Sequence, residues 1–310
     1  MSDTTRRATR EAYGETLVEL IEGGLDVMAV DADLAESTTL AKVGKAYPER
    51  LVDVGIAEQS MVGVAAGLSL AGHIPFTGSF AVFATGRAYD QIRNTVCDSN
   101  LNVKVCPTHS GITVGEDGAT HQALEDIGLM RGLPNMRVIV PSDYWSAKAA
   151  IRLAAETYGP VYVRLGRYPI PMLYDEHFEL RLPQASVLRE GSDVTICACG
   201  VEVSQAIAAA EVLESEGISV EVIDVLTVKP LDEATILASA AKTGAVITVE
   251  EHNVETGMGA AVCSLLSREL PTRTLVLGME TFGISGSANE LLRYFRLDAE
   301  GIAAAVRGFV

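Results

Sequence analysis

Positive charge is scarce in this sequence: 24 Lys and Arg stand against 41 Asp and Glu, a formal net charge of −17. Such an acidic chain repels phosphate backbones, which argues against nucleic acid as a partner. An anionic small molecule can bind only where Arg, His and helix N-termini cluster locally. Long apolar runs are also missing. No stretch reaches the roughly 20 residues of a membrane span, and the opening MSDTTRRATR is polar, unlike a cleavable signal. The expected setting is cytoplasmic, with no membrane. Cysteine is sparse: five residues, an odd number, with no CxxC pair. Cys197 and Cys199 fall on one face of a strand-like run and read as reduced core residues.

What is present is a folding composition, 48% hydrophobic and 21% charged, over 310 residues. That length holds one large or two ordinary domains. Helical and strand patterns alternate. Helices are expected over 8–23, 56–71, 82–97, 120–131 and 143–158, the last capped by Ser142-Asp143. Strands are expected over 26–31, 51–55, 103–106, 138–140 and 160–165. Pro169, Pro171 and Pro183 then break the rhythm. A second alternating block follows, with strands over 193–199, 219–225, 245–249 and 274–277. Its helices fall near 201–216, 231–242, 258–270 and 288–295. The expected fold is α/β with two domains, each a mainly parallel sheet flanked by helices. The divisions are residues 1–170, a linker over 171–190, and residues 191–310.

Open α/β sheets bind ligands beyond the carboxyl ends of their strands. Asp31, Asp33, Ser37, Glu58, His109, Asp117, His121 and Arg167 all follow expected strands, so one rim should gather them. Glu58 lies among apolar and small residues, where a carboxyl disfavours ionisation and can share a proton with a ring nitrogen. The same residue also fits an ordinary acid at a helix N-terminus. The segment HSGITVGEDGATHQ holds two His, two acids and three Gly. Its histidines could handle protons near neutrality, or be structural; no metal-ligand spacing accompanies them. Arg10, Arg164 and Arg167 could contact an anion or simply lie at the surface. Glu250, Glu251 and His252 read as a solvated strand end or interface polar groups.

Four runs, VGIAEQSMVGVAAGLSLAG, PFTGSFAVFATGRAYDQIRN, THSGITVGEDGATHQALEDIGLMRGLPNM and VYVRLGRYP, closely resemble the pyrimidine-binding domain of transketolases. ITVEEHN and FGISGSANELL resemble the third domain of that family. The resemblance implies an enzyme subunit that moves a two-carbon ketol unit from a ketose to an aldose, using thiamine diphosphate. It makes Glu58 the glutamate that hydrogen-bonds N1′ of the aminopyrimidine, and Phe80 and Phe83 the aromatic pocket around that ring. It makes His109 and His121 catalytic contacts to substrate, and Asp117 the reader of a substrate hydroxyl. Arg10, Asp33, Ser37 and Arg167 become substrate-channel and phosphate contacts. Gly86 departs from the tyrosine that many transketolases carry there, and Tyr168-Pro169 is closer to deoxyxylulose-phosphate synthases.

Full-length transketolases hold the diphosphate and a divalent metal through a GDG-type motif in an N-terminal domain. This sequence has no GDG. The resemblance therefore implies the smaller subunit of a split transketolase, with no metal ligands of its own. A partner subunit carrying the GDG motif would hold Mg2+ or Ca2+, and an α2β2 assembly is expected. Substrates would be phosphorylated sugars, or sugars bearing a sulfonate or a branched carbon. The alternatives are a deoxyxylulose-phosphate-synthase-like subunit, a 2-oxo acid dehydrogenase beta-type subunit, or a non-catalytic assembly paralogue.

Overall fold

The computed structural model describes residues 5–310, so the first four residues of the expected first domain lie outside it. From the N-terminus come β1 (Arg6–Arg7), α1 (Glu11–Glu22), β2 (Val27–Asp31), α2 (Ala35–Thr38), α3 (Ala41–Ala46) and β3 (Leu51–Asp53). Then follow α4 (Glu58–Leu70), β4 (Ile74–Gly78), α5 (Ala81–Gly86), β5 (Lys104–Val105), α6 (Asp126–Arg131), β6 (Arg137–Ile139), α7 (Tyr144–Glu156) and β7 (Val161–Val163). The seven-stranded sheet has the order β3-β2-β4-β5-β7-β6, with one further strand beyond β6. Its five pairings between β2 and β7 are all parallel. Helices cover both faces, so the five residues of β2 are all buried, as a central parallel strand requires.

The second half continues with β8 (Ile170–Pro171), β9 (Ser186–Arg189), β10 (Val194–Ala198), α8 (Glu202–Glu214), β11 (Val220–Asp224) and β12 (Thr227–Lys229). It ends with α9 (Glu233–Thr243), β13 (Ala245–Asn253), α10 (Met258–Glu269), β14 (Arg273–Met279), α11 (Ala288–Tyr294) and α12 (Ala299–Phe309). The five-stranded sheet runs β14-β13-β10-β11-β9, parallel except for β9 at its edge. The fold is therefore two-domain α/β, as the alternating pattern implies.

Several elements depart from the sequence expectation. β12 crosses over and pairs antiparallel with β6, adding the outermost strand to the first sheet. One apolar core runs through both halves, from Met61, Val62 and Ile127 to Val262 and Leu265. Residues 186–189, expected as linker, form the edge strand β9. β4 lies outside the expected strands, since Pro75 lacks the N–H that a central strand normally donates; Phe76, Thr77 and Gly78 are buried in it all the same. The helix expected over 82–97 is interrupted: α5 stops at Gly86, and Gln91–Cys97 winds as a π-helical turn. The Ser142-Asp143 cap does form. Asp143 accepts from the Ser146 amide at 2.7 Å, and its own amide donates to the Ser146 hydroxyl.

Candidate active site

The parallel order aims β2, β3, β4, β5 and β7 at the same edge, where their following loops meet. Glu58 opens α4, so its charge lies at the favourable end of that helix. The residue is 4% exposed, and its surroundings differ from the apolar pocket expected. The Arg87 guanidinium donates to Glu58 Oε1 at 2.8 Å. That guanidinium also lies over the Phe83 ring, 4.1 Å from its centroid. Phe83 and Phe80 are stacked 6.0 Å apart. The His121 ring meets Phe83 edge-on at 5.3 Å, and the His109 ring stacks on Phe80 at 3.8 Å. A continuous aromatic wall thus joins the Glu58 end to the two histidines.

His109 sits in the left-handed region, at φ 59°. Its Nε2 faces Arg10 Nη1 at 3.3 Å and its Nδ1 faces the Thr108 hydroxyl at 2.7 Å. Arginine can only donate, so Nε2 accepts and the ring proton sits on Nδ1, donated to Thr108. Burial pushes the His109 pKa down to about 3, helped by the nearby charges of Arg10, Arg167 and His121. The ring is therefore neutral at physiological pH. Arg10 also donates to the Ser37 carbonyl at 3.0 Å. Burial and then repulsion by Arg167 lower the Arg10 pKa. Two guanidinium groups held this close make a site for an anion. Arg167 is paired with Asp117 at 2.9 Å.

The rim thus gathers Arg10, Ser37, Phe80, Phe83, His109, Asp117, His121 and Arg167, with Glu58 joined to it through Arg87. Ser37 meets Arg10 through its backbone carbonyl. Asp33 is less engaged: it too has a positive φ, and its amide donates to Asp53, but its exposed side chain meets no partner among the described residues. Asp31 closes β2 with its amide-bound carboxylate buried, and burial pushes its pKa up to about 6. Among the described residues no group of three or more His, Cys, Asp or Glu could hold a metal ion.

Two expectations are corrected. Arg164 is no anion contact: it is 4% exposed and grips the buried Asp126 through Nε at 2.7 Å and Nη2 at 3.2 Å. Glu250, Glu251 and His252 are not solvated. β13 runs on through them, and all three are buried. Glu251 accepts from the Thr113 amide and hydroxyl, at 3.0 and 2.8 Å, and so anchors the histidine loop from the other half of the chain. The approach is so close that a Cβ at Gly111, where φ is +75°, would lie 2.0 Å from Glu251 Cδ. Gln122 donates to the carbonyls of Ile112 and Ile284, and Ser285 donates to that of Glu116. Arg87, Gln122 and Glu251 also shape the site, and no local pattern marks them. Each lies inside a quoted run, but nothing local shows what it reaches.

Two sheets in series, with a glutamate, an aromatic wall and two histidines at the first sheet's carboxyl edge, define a two-domain α/β chain of mainly parallel sheets flanked by helices. Residues 5–171 match the family described as "Transketolase, pyrimidine binding domain", and residues 183–302 match "Transketolase, C-terminal domain". The "Putative transketolase C-terminal section" of Methanocaldococcus jannaschii is 45% identical, over 97% of this chain and 95% of its own length. The "6-deoxy-6-sulfo-D-fructose transketolase subunit SqwH" of Clostridium sp. (strain MSTE9) is 41% identical, over 96% and 92%. A solved structure described as "Split gene transketolase, inactive beta4 tetramer" superposes with a TM-score of 0.90 at 46% identity, covering 97% of each chain. The chain belongs to the transketolase family.

Proposed function

We propose that this chain is the C-terminal-half subunit of a split, thiamine-diphosphate-dependent transketolase. On this reading residues 1–170 form the pyrimidine-binding domain and 191–310 the C-terminal domain, with 171–190 linking them and ending in β9 at the edge of the second sheet. The observation that carries it is the run from buried Glu58, through Arg87 to Phe83 and Phe80, and on to neutral His109 and Arg10. These residues fit the pyrimidine end of the cofactor: a buried carboxylate for N1′, with Phe80 and Phe83 for the ring faces. When bound, thiamine diphosphate supplies the nucleophilic carbon that takes up and releases the ketol unit. The partner subunit with the GDG motif would hold the diphosphate and Mg2+ or Ca2+, in an α2β2 assembly.

Each remaining residue has a role suited to its state. Glu58 would hold a proton shared with N1′ when the cofactor is bound. His109, neutral with Nδ1 donating to Thr108, offers Nε2 to a substrate hydroxyl proton as that oxygen displaces Arg10. His121, edge-on to Phe80 and Phe83, serves the second hydroxyl. Asp117 reads a further hydroxyl. Arg10 and Arg167 bind the anionic tail, with Asp33 and Ser37 lining its path. Phosphate and sulfonate are both tetrahedral anions that suit a pair of guanidiniums, and one relative is named for a sulfonated ketose.

The test is reconstitution with the partner subunit, thiamine diphosphate and Mg2+, with xylulose 5-phosphate and 6-deoxy-6-sulfofructose offered as parallel donors. Two-carbon transfer to an aldose is expected from at least one donor. Glu58→Ala should reduce it by about a hundredfold or more. No transfer from either donor, or full activity in Glu58→Ala, would reject the reading.

A further inference from the structure

Arg87 lies at the rim, and the proposed chemistry gives it no role. It nevertheless makes both contacts that the cofactor's pyrimidine ring would require, a hydrogen bond to Glu58 Oε1 and a stack over Phe83. A guanidinium suits both. It is flat, it carries N–H donors that match a carboxylate, and it stacks on aromatic faces. Among the described residues Arg87 is the side chain that Glu58 pairs with, and a buried carboxylate left unpaired is costly. We propose that Arg87 stands in for the pyrimidine ring in the unassembled subunit, satisfying Glu58 and covering Phe83 until the cofactor displaces it. The inference rests on the functional reading above and adds a competition to it.

The surroundings allow the exchange. The Arg87 side chain is 52% exposed, whereas that of Glu58 is 5% exposed, so the arginine can withdraw into water while the acid stays in place. A Cβ built at the neighbouring Gly86 meets nothing within 4 Å, so no side chain there blocks the movement. Asp90, three residues further on, is exposed and accepts from Asn94, and its carboxylate offers the departing guanidinium a surface counter-charge. Binding of the cofactor must therefore break an existing ion pair and an existing cation–π contact before it forms its own.

The experiment is titration calorimetry of thiamine diphosphate, with Mg2+ present, into the reconstituted pair carrying wild-type, Arg87→Met or Arg87→Lys subunit. Arg87→Met should tighten binding by about three- to tenfold, because both competing contacts are gone. Arg87→Lys keeps the charge but loses the planar fork, and should fall between wild type and Arg87→Met. It also decides the matter if Arg87→Met fails to fold. Unchanged or weaker binding in whichever variants fold would overturn the stand-in role while leaving the functional reading intact. A wild-type pair that binds no thiamine diphosphate would remove both.

Discussion

His109 shows how a single residue acquires its chemistry from its surroundings. A histidine in water protonates near pH 6.5, but here burial and three neighbouring cationic or ionisable groups push that down to about 3. Between those values the unfolded chain binds a proton that the folded chain refuses. The histidine's contribution to stability therefore falls as pH drops from about 6.5 towards about 3. Asp31 acts in the opposite direction. Burial pushes it up to about 6, so its part falls as pH rises from about 4 to about 6. The difference in urea-unfolding free energy between wild type and His109→Asn should isolate the histidine's share. The stability of His109→Asn should fall less steeply on acidification. Parallel pH profiles for the two proteins would show that the ring is not held neutral.

At the scale of elements, carboxylates from the second sheet organise neighbouring segments. Glu250 is fully buried and accepts the amides of Met258 at 2.7 Å and Gly259 at 2.8 Å. It thereby caps the N-terminus of α10, which has no side-chain cap at Gly257 itself. Glu250→Ala would leave two buried amides unpaired, and should cost about 3 kcal/mol in chemical denaturation at unchanged denaturant slope. A loss below about 1 kcal/mol would mean that other groups satisfy the helix end.

At the scale of the molecule, the two halves are joined by charge as well as by their shared apolar core. Arg164 on the first half pairs with Asp126, donates to the Glu251 carbonyl at 3.3 Å and lies 3.7 Å from the Glu251 carboxylate. Asp126 also accepts from Tyr162 at 2.6 Å. Removing one member of a buried pair leaves the other uncompensated, so Arg164→Met should destabilise the subunit by about 3–5 kcal/mol. Because Glu251 also anchors Thr113 in the histidine loop, that variant should lose transfer activity in the reconstituted pair beyond what its lower stability explains. Activity assays at a temperature where the variant remains folded would check this, and wild-type activity there would show that the anchor is independent of Arg164.

Much of this was legible in the sequence. The alternating pattern implied two α/β domains, because each strand run is bounded by helix caps and glycines that act locally. The rim residues could be named because a parallel sheet sends every strand's carboxyl end to one edge, and the quoted runs carry the family's residues in order. Other features depended on chain segments far apart in sequence. The Arg87–Glu58 pair, β12 crossing to β6, Pro75 inside a central strand, and the burial of Arg164 with Glu251 each join residues that no local pattern relates. Periodicity reports which way a side chain faces along its own element, whereas its partner is set only when separate elements pack together.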